Sequence, residues 1–199
     1  MQVKGKGRGS SKAADITIVP MHEIARAEAI AALKAEYGVI SDIVGSLSRE
    51  ELLEPSGCLG WNNADLIFHM LLDAQRALVA FNSPAAPPAD KDFVTYWEGF
   101  QASDDRSRVH ERFVRISTAA HQDSKMICSR WIETSTAAIR ASGTSDTEVV
   151  TTQGHLLTFG NFIATLVVEA AIHHLDPDKE AWREARSSAF RAVGNYSNA

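Results

Sequence analysis

Residues 159–176 read FGNFIATLVVEAAIHHLD and carry the clearest structural signal in the chain. Some of these residues recur at alternating three- and four-residue steps, which places side chains on one stripe of an α-helix. The set comprises Phe159, Phe162, Leu166, Glu169 and His173. Because its first three members are large and apolar, the stripe should face a core, and Glu169 and His173 should point inward with it. His174 is rotated by roughly 100° from His173 and belongs to another face.

The rest of the chain also reads as helical. Apolar periodicity predicts long helices over residues 21–47, 62–81, 105–141 and 158–175, and an amphipathic surface helix over 179–193. In the helix predicted over 105–141, one stripe comprises Val109, Phe113, Ile116 and Ala120. Ser48 and Glu51 form a capping box that should start a short helix ending at Pro55. Residues 147–152 are β-branched and could be a short extended piece. The pattern predicts an all-α four-helix bundle with long connections and an extra C-terminal helix.

His69 is a further polar residue for which we expect an interior position. It lies within DLIFHMLL, residues 65–72, where apolar side chains surround it on every side. Imidazoles and a carboxylate inside a bundle are costly unless they are paired or bind a metal. His69, Glu169 and His173 together offer three nitrogen or oxygen ligands with a fourth position open, as in a catalytic zinc site, although nickel or iron(II) would also suit them. Alternatively, Glu169 and His173 hydrogen-bond each other, and His69 donates to a backbone carbonyl.

Composition excludes several classes of protein. Lysine and arginine number 20 against 25 aspartate and glutamate residues, a net charge of −5, which argues against nucleic-acid binding. No apolar run approaches the ~20 residues that span a bilayer. The two cysteines, Cys58 and Cys128, do not suggest a secreted disulfide scaffold. The basic, Gly/Ser-rich N-terminus lacks the apolar segment of a secretory signal, so we expect a cytoplasmic protein. We divide the chain into a disordered tail (1–19), a metal-binding bundle (20–176), and a C-terminal surface helix and tail (177–199).

Two motifs resemble those of a known family. PSG (55–57), GW (60–61) and ADLIFH (64–69) precede VEAAIHHLD (168–176). Together they resemble the mycothiol-dependent maleylpyruvate isomerase N-terminal family, part of the DinB-like (YfiT-like) group of four-helix bundles, over roughly residues 21–176. The resemblance implies that His69, Glu169 and His173 bind a divalent metal, usually zinc, with a position open to water or to a thiol such as mycothiol. It also implies an actinobacterial source and a second-shell or helix-end role for Asp176.

The chain departs from the family pattern at two points. Leu166 stands where many relatives carry arginine, and the chain ends at Ala199, before the C-terminal domain of the full isomerase. We therefore expect not maleylpyruvate isomerisation itself but a thiol-dependent transferase or isomerase. Its partners would be a small-molecule thiol and a small electrophile, and it would be a monomer or homodimer. The alternatives are a non-enzymatic DinB-like stress-response or metal-binding protein and a purely structural bundle with a His–Glu network.

Several other residues are secondary candidates. The long loop over 83–103 should form a substrate wall or lid, with its aromatic side chains packed on the body. These are Phe93, Tyr96, Trp97 and Phe100. Cys58 could approach the metal as a redox-sensitive ligand, and His155 could line the entrance or lie on the surface. Arg130 could bring a cation near the site, whereas Trp131 could equally serve packing. We expect the remaining histidines of polar stretches to be solvated: His22, His110 and His121.

Overall fold

A computed structural model describes residues 22–99 and 105–173. Its helices are α1 (Arg26–Ser46), α2 (Arg49–Leu53), α3 (Asn63–Phe81), α4 (Asp105–Ala119), α5 (Lys125–Thr144) and α6 (Phe159–His173), with a short 3-10 helix at Thr95–Gly99. Two strands, β1 (Val149–Thr152) and β2 (His155–Thr158), form the one sheet of this part of the chain. The predicted all-α fold is confirmed. The proposed N-terminal tail and C-terminal helix, together with Phe100, His174 and Asp176, lie outside the described residues.

Four helices form the body of the bundle. α1 packs against α5 and α6, and α3 packs against α5 and more lightly against α6. The apolar stripe predicted for residues 159–166 is buried, with Phe162 wholly inaccessible to solvent. Between α1 and α5, the rings of Tyr37 and Trp131 meet edge to face with centroids 5.1 Å apart. Trp131 is therefore a core residue, the second of the two roles considered for it.

Capping boxes set where two helices begin. Ser48 accepts from the backbone N–H of Glu51 at 3.1 Å, and the Glu51 carboxylate accepts from the Ser48 N–H at 2.8 Å. Asn62 and Asp65 make the same reciprocal pair at 2.8 and 3.2 Å. Each box satisfies two backbone groups that a helix end leaves unpaired. The predicted starts of α2 and α3 are thus confirmed, and α3 holds a fixed rotational position from its first turn.

The prediction of one helix over 105–141 is wrong. α4 ends at Ala119 and α5 begins at Lys125. Between them, the Asp123 side chain accepts from the Lys125 backbone N–H at 3.0 Å and pairs with Arg49 at 2.6 Å. Aspartate offers the backbone an alternative to the helical hydrogen-bond ladder, which explains a break where apolar periodicity continues.

The stripe chosen for this helix also faces the wrong way. Val109, Phe113 and Ile116 are 68%, 51% and 59% exposed. α4 instead buries Val114 and Thr118, which lie one turn apart and pack toward α3. Helical periodicity in this short, charged helix is met both by the predicted stripe and by the stripe that contains Val114 and Thr118. The contact with α3 decides which of the two is buried.

A β-hairpin joins α5 to α6. The predicted extended piece is confirmed as β1, which pairs antiparallel with β2, a strand the sequence analysis did not predict. Gln153 and Gly154 form the two-residue turn with φ values of 48° and 84°, as a primed hairpin turn requires. The loop after α3 joins the hairpin through a hydrogen bond from the Asp90 N–H to the Leu156 carbonyl at 2.9 Å. In the described part of that loop, Phe93, Tyr96 and Trp97 are all half-buried.

No helix in the described ranges combines the length and apolarity needed to cross a membrane.

Gly160 permits a close contact that secures the start of α6. A Cβ there would overlap the Ile24 carbonyl oxygen, whereas one at Gly38 in α1 would meet nothing within 4 Å. We expect Gly160→Ala to lower the free energy of unfolding by about 1–3 kcal/mol, because a rigid backbone must move. Gly38→Ala should leave it unchanged or raise it by up to about 1 kcal/mol. Urea denaturation of both variants tests this, and equal effects would contradict the contact.

Candidate metal centre

Three side chains from α3 and α6 converge at one end of the bundle. His69 Nε2 lies 3.1 Å from Glu169 Oε1 and 3.0 Å from His173 Nε2, and the latter two atoms are 3.2 Å apart. These three residues form the one group of potential metal ligands found in the described part of the chain, with ligand atoms within 4.8 Å of one another. The structure thus brings together the three residues that the sequence analysis singled out.

The local sequence explains why these side chains meet. Glu169 and His173 are one turn apart on α6, in line with the buried side chains of Phe162 and Leu166. His69 lies in the second turn of α3, whose start is set by the Asn62 capping box. The three side chains retain 12%, 19% and 15% exposure, in the order His69, Glu169, His173. The cluster is therefore nearly buried, yet solvent or a small ligand reaches its edge.

Hydrogen bonds alone do not satisfy this triangle. Three contacts join three atoms, but each imidazole Nε2 can carry one proton and the ionised carboxylate carries none. At most two of the three contacts can therefore be hydrogen bonds. The third contact brings either two N–H groups or two lone pairs to about 3 Å from each other, which is repulsive. A cation accepts the lone pairs of all three atoms at once.

The distances also fit a metal ion. A tetrahedral zinc ion with bonds of about 2.0–2.1 Å holds its ligand atoms about 3.3 Å apart. The three separations of 3.0–3.2 Å approach this value without any change of backbone. Two imidazole nitrogens and one carboxylate oxygen are a donor set that suits zinc, nickel or iron(II). The residues present therefore fit a divalent ion that has three protein ligands.

Without a metal, the three side chains perturb one another's protonation. Burial alone would raise the pKa of Glu169, but hydrogen bonds from His173 and His69 hold it well below its usual range. Burial works to lower the pKa of His173, yet its contacts with Cys58 and Glu169 raise that pKa to about 10. In the metal-free site His173 is therefore protonated at neutral pH, and a metal ion that binds its Nε2 must displace that proton.

A second layer of contacts surrounds the two imidazoles. His69 Nδ1 lies 3.0 Å from His110 Nε2, and His173 Nδ1 lies 3.4 Å from Cys58 Sγ. The ring of Trp61 packs beside His69 with centroids 5.2 Å apart. The expectation that His110 is solvated is wrong, because the side chain is half-buried against His69. Its spacing with Val114 and Thr118, four residues apart each time, was the sequence signal for this position.

A half-buried charge pair lies on the same face of α3, one and two turns beyond His69. Asp73 Oδ1 accepts hydrogen bonds from Arg76 Nε and Nη2 at 3.2 and 3.0 Å. Arg76 also donates to the Tyr96 hydroxyl at 3.1 Å, and this hydroxyl donates to Gln153 at 2.6 Å. Burial opposes the charge of Arg76, but Asp73 keeps its pKa raised. This network ties the loop and the hairpin to α3.

The remaining histidines lie apart from the cluster. His22 is 68% exposed beside Asp92, which agrees with the expectation of a solvated side chain. His121 lies after the end of α4 and is half-buried, so the expectation that it is solvated is wrong: its Nδ1 contacts the Ser117 carbonyl at 2.9 Å, and its ring packs against that of Phe68. His155 lies 3.5 Å from Asp90 at the hairpin, where it is 39% exposed. None of these three contacts His69, Glu169 or His173 in the described structure.

Comparison with known protein families gives a match over most of the chain. The family model described as the mycothiol maleylpyruvate isomerase N-terminal domain matches residues 33–177, which include His69, Glu169 and His173. Neither the curated proteins nor the solved structures contain a significant match to this chain.

The raised pKa of His173 gives the metal-free protein a defined pH dependence. A folded-state pKa of about 10, above the ordinary 6.5, contributes stability that is fully present below about pH 6.5 and is lost as pH rises through 10. We expect the melting temperature of the metal-free protein to fall from pH 7 to pH 10, and this slope to flatten in His173→Gln. Calorimetry across that range checks it. A parent and variant with equal slopes would contradict the assignment to His173.

Proposed function

Because the chain belongs to the mycothiol maleylpyruvate isomerase N-terminal domain family, a metal-binding and mycothiol-related group, we propose that His69, Glu169 and His173 bind a divalent metal ion. We propose further that the metal-loaded protein activates a low-molecular-weight thiol for transfer to, or isomerisation of, a small electrophile. The single observation that best supports metal binding is the triangle of His69 Nε2, Glu169 Oε1 and His173 Nε2, because two protons cannot satisfy its three contacts and one cation can.

The charges of the cluster suit a thiolate. When bound, a divalent ion deprotonates a coordinating thiol and so supplies a nucleophile at neutral pH. Metal-binding imidazoles are neutral, so Glu169 is the one ligand that contributes negative charge. One positive charge then remains to attract an anionic sulfur. The nearby Asp73–Arg76 pair is neutral overall and leaves this balance unchanged.

The surroundings suit a small ligand. A divalent ion held by these three side chains, the one such group among the described residues, would keep a fourth position open to a small ligand. Trp61 is 8% exposed and packs beside His69, so it excludes water from one side of that ring. The proposal includes zinc as the resident ion and a cytoplasmic location, where thiols stay reduced.

Metal content tests the ligand set. We expect His69→Ala and His173→Ala each to lose most of the bound zinc, because each removes one of three ligands. His121→Ala should keep it, since that side chain contacts the Ser117 carbonyl and the Phe68 ring and, within the described residues, none of the three ligands. Zinc should be measured by atomic emission on untagged protein after equal dialysis. Parental zinc content in either ligand variant contradicts the site.

Bound metal should also stabilise the fold. An ion that binds the folded state alone adds about 2.7 kcal/mol at a hundredfold excess over Kd. We expect EDTA to lower the melting temperature of the parent and added zinc to restore it, with neither effect in His69→Ala. An unchanged melting curve after verified metal removal would contradict this contribution.

A cobalt-substituted protein tests the thiol. Adding mycothiol should produce a sulfur-to-cobalt charge-transfer absorption, whereas the S-methylated thiol should produce none. Absence of the band in a protein that holds one cobalt ion would favour the alternative of a metal-binding protein without thiol chemistry.

A further inference from the structure

The helix α4 brings one side chain to the metal centre from outside the ligand set. His110 Nε2 lies 3.0 Å from His69 Nδ1, the nitrogen on the side of the ring away from Glu169 and His173. His110 does not belong to the converging ligand group. Its ring meets that of His69 at 72°, with centroids 5.1 Å apart, so the two imidazoles do not stack. This is the geometry of a hydrogen bond, not of a fourth ligand.

We propose that His110 is a positioning residue that orients His69 by accepting a hydrogen bond from its Nδ1–H. The inference rests on the proposed metal site. A histidine that binds a metal through Nε2 carries its one proton on Nδ1. That proton needs an acceptor within reach, and the unprotonated Nε2 of His110 lies at the required distance. The acceptor fixes both the tautomer of His69 and the rotation of its ring.

Packing of α4 holds the acceptor in place. His110, Val114 and Thr118 are four residues apart each time and therefore lie on one face of the helix. Val114 is wholly buried and Thr118 is 8% exposed, so this face is the one that packs on α3. The same helix leaves Val109 and Phe113 in solvent. The orientation of α4 thus places His110 beside His69. If the stripe of Val109 and Phe113 had packed on α3 instead, His110 would face away from His69.

The second metal-binding imidazole has a similar arrangement. His173 directs Nε2 toward the other ligands and Nδ1 toward Cys58 Sγ at 3.4 Å. Sulfur is a weak hydrogen-bond acceptor, so His110 provides the stronger of the two outer contacts. Loss of an outer partner of this kind typically weakens metal binding 10–100-fold.

Three variants distinguish an acceptor from a packing residue. His110→Leu removes the acceptor and retains bulk, while His110→Gln places an amide oxygen about as far along the side chain as Nε2. Val114→Ala loosens α4 and keeps His110. We expect the zinc Kd, measured by competition with a chromophoric chelator, to rise about 10–100-fold in His110→Leu. Most of this loss should be recovered in His110→Gln, and Val114→Ala should lower the melting temperature with little change in Kd.

Proton NMR of the zinc-loaded protein gives a readout that packing does not move. The His69 Nδ1–H resonance should be slow to exchange in the parent and in His110→Gln, and fast in His110→Leu. An unchanged Kd in His110→Leu, or equal losses in His110→Leu and Val114→Ala, overturns the inference. If His69→Ala still loses zinc in that case, the proposed function stands without it. A parent that binds no zinc overturns both.

Discussion

Three mutually contacting atoms, two imidazole nitrogens and one carboxylate oxygen, are the feature on which the rest of this structure depends. Their separations of 3.0–3.2 Å bring His69 and Glu169 together across 100 residues of sequence. Burying such groups is costly unless a partner compensates for the lost hydration. We therefore interpret the apolar bundle around these side chains as the scaffold that positions a functional site. In this account, the helices hold three ligands at the spacing that one cation requires.

The helices α3, α4 and α6 position the three clustered side chains and one of their outer contacts. α6 buries its stripe from Phe159 to Leu166 and presents Glu169 one turn and His173 two turns further on. α3 starts at a capping box. Further along α3, Arg76 of the Asp73–Arg76 pair links the helix to the loop and hairpin through Tyr96. α4 is peripheral, yet it supplies the side chain that contacts the outer nitrogen of His69. In the proposed site, the orientation of His69 would thus depend on a helix that contributes none of the three clustered side chains.

The sequence alone predicted the parts with strong local signals. The stripe on α6, the apolar surroundings of His69 and the two capping boxes each act over a few residues, so the starts of α2 and α3 and the inward positions of His69, Glu169 and His173 could be predicted, while the family resemblance implied that these three side chains form one site. The missed features depend on distant contacts. The break near Asp123 involves Arg49, the face of α4 is chosen by α3, and His110 becomes a site residue only because of that choice. The strand β2 was missed because its residues run directly into the apolar start of α6.

X-ray absorption at the zinc edge tests the metal centre most directly, because it reports the ligands of the ion itself. We expect zinc to be surrounded by nitrogen and oxygen ligands at about 2.0–2.2 Å, with the outer-ring scattering of two imidazoles. Adding a thiol should place one sulfur at about 2.3 Å and leave both imidazoles bound. A zinc ion surrounded by water oxygens alone, or one with no imidazole scattering, would contradict the claim that His69, Glu169 and His173 form its site.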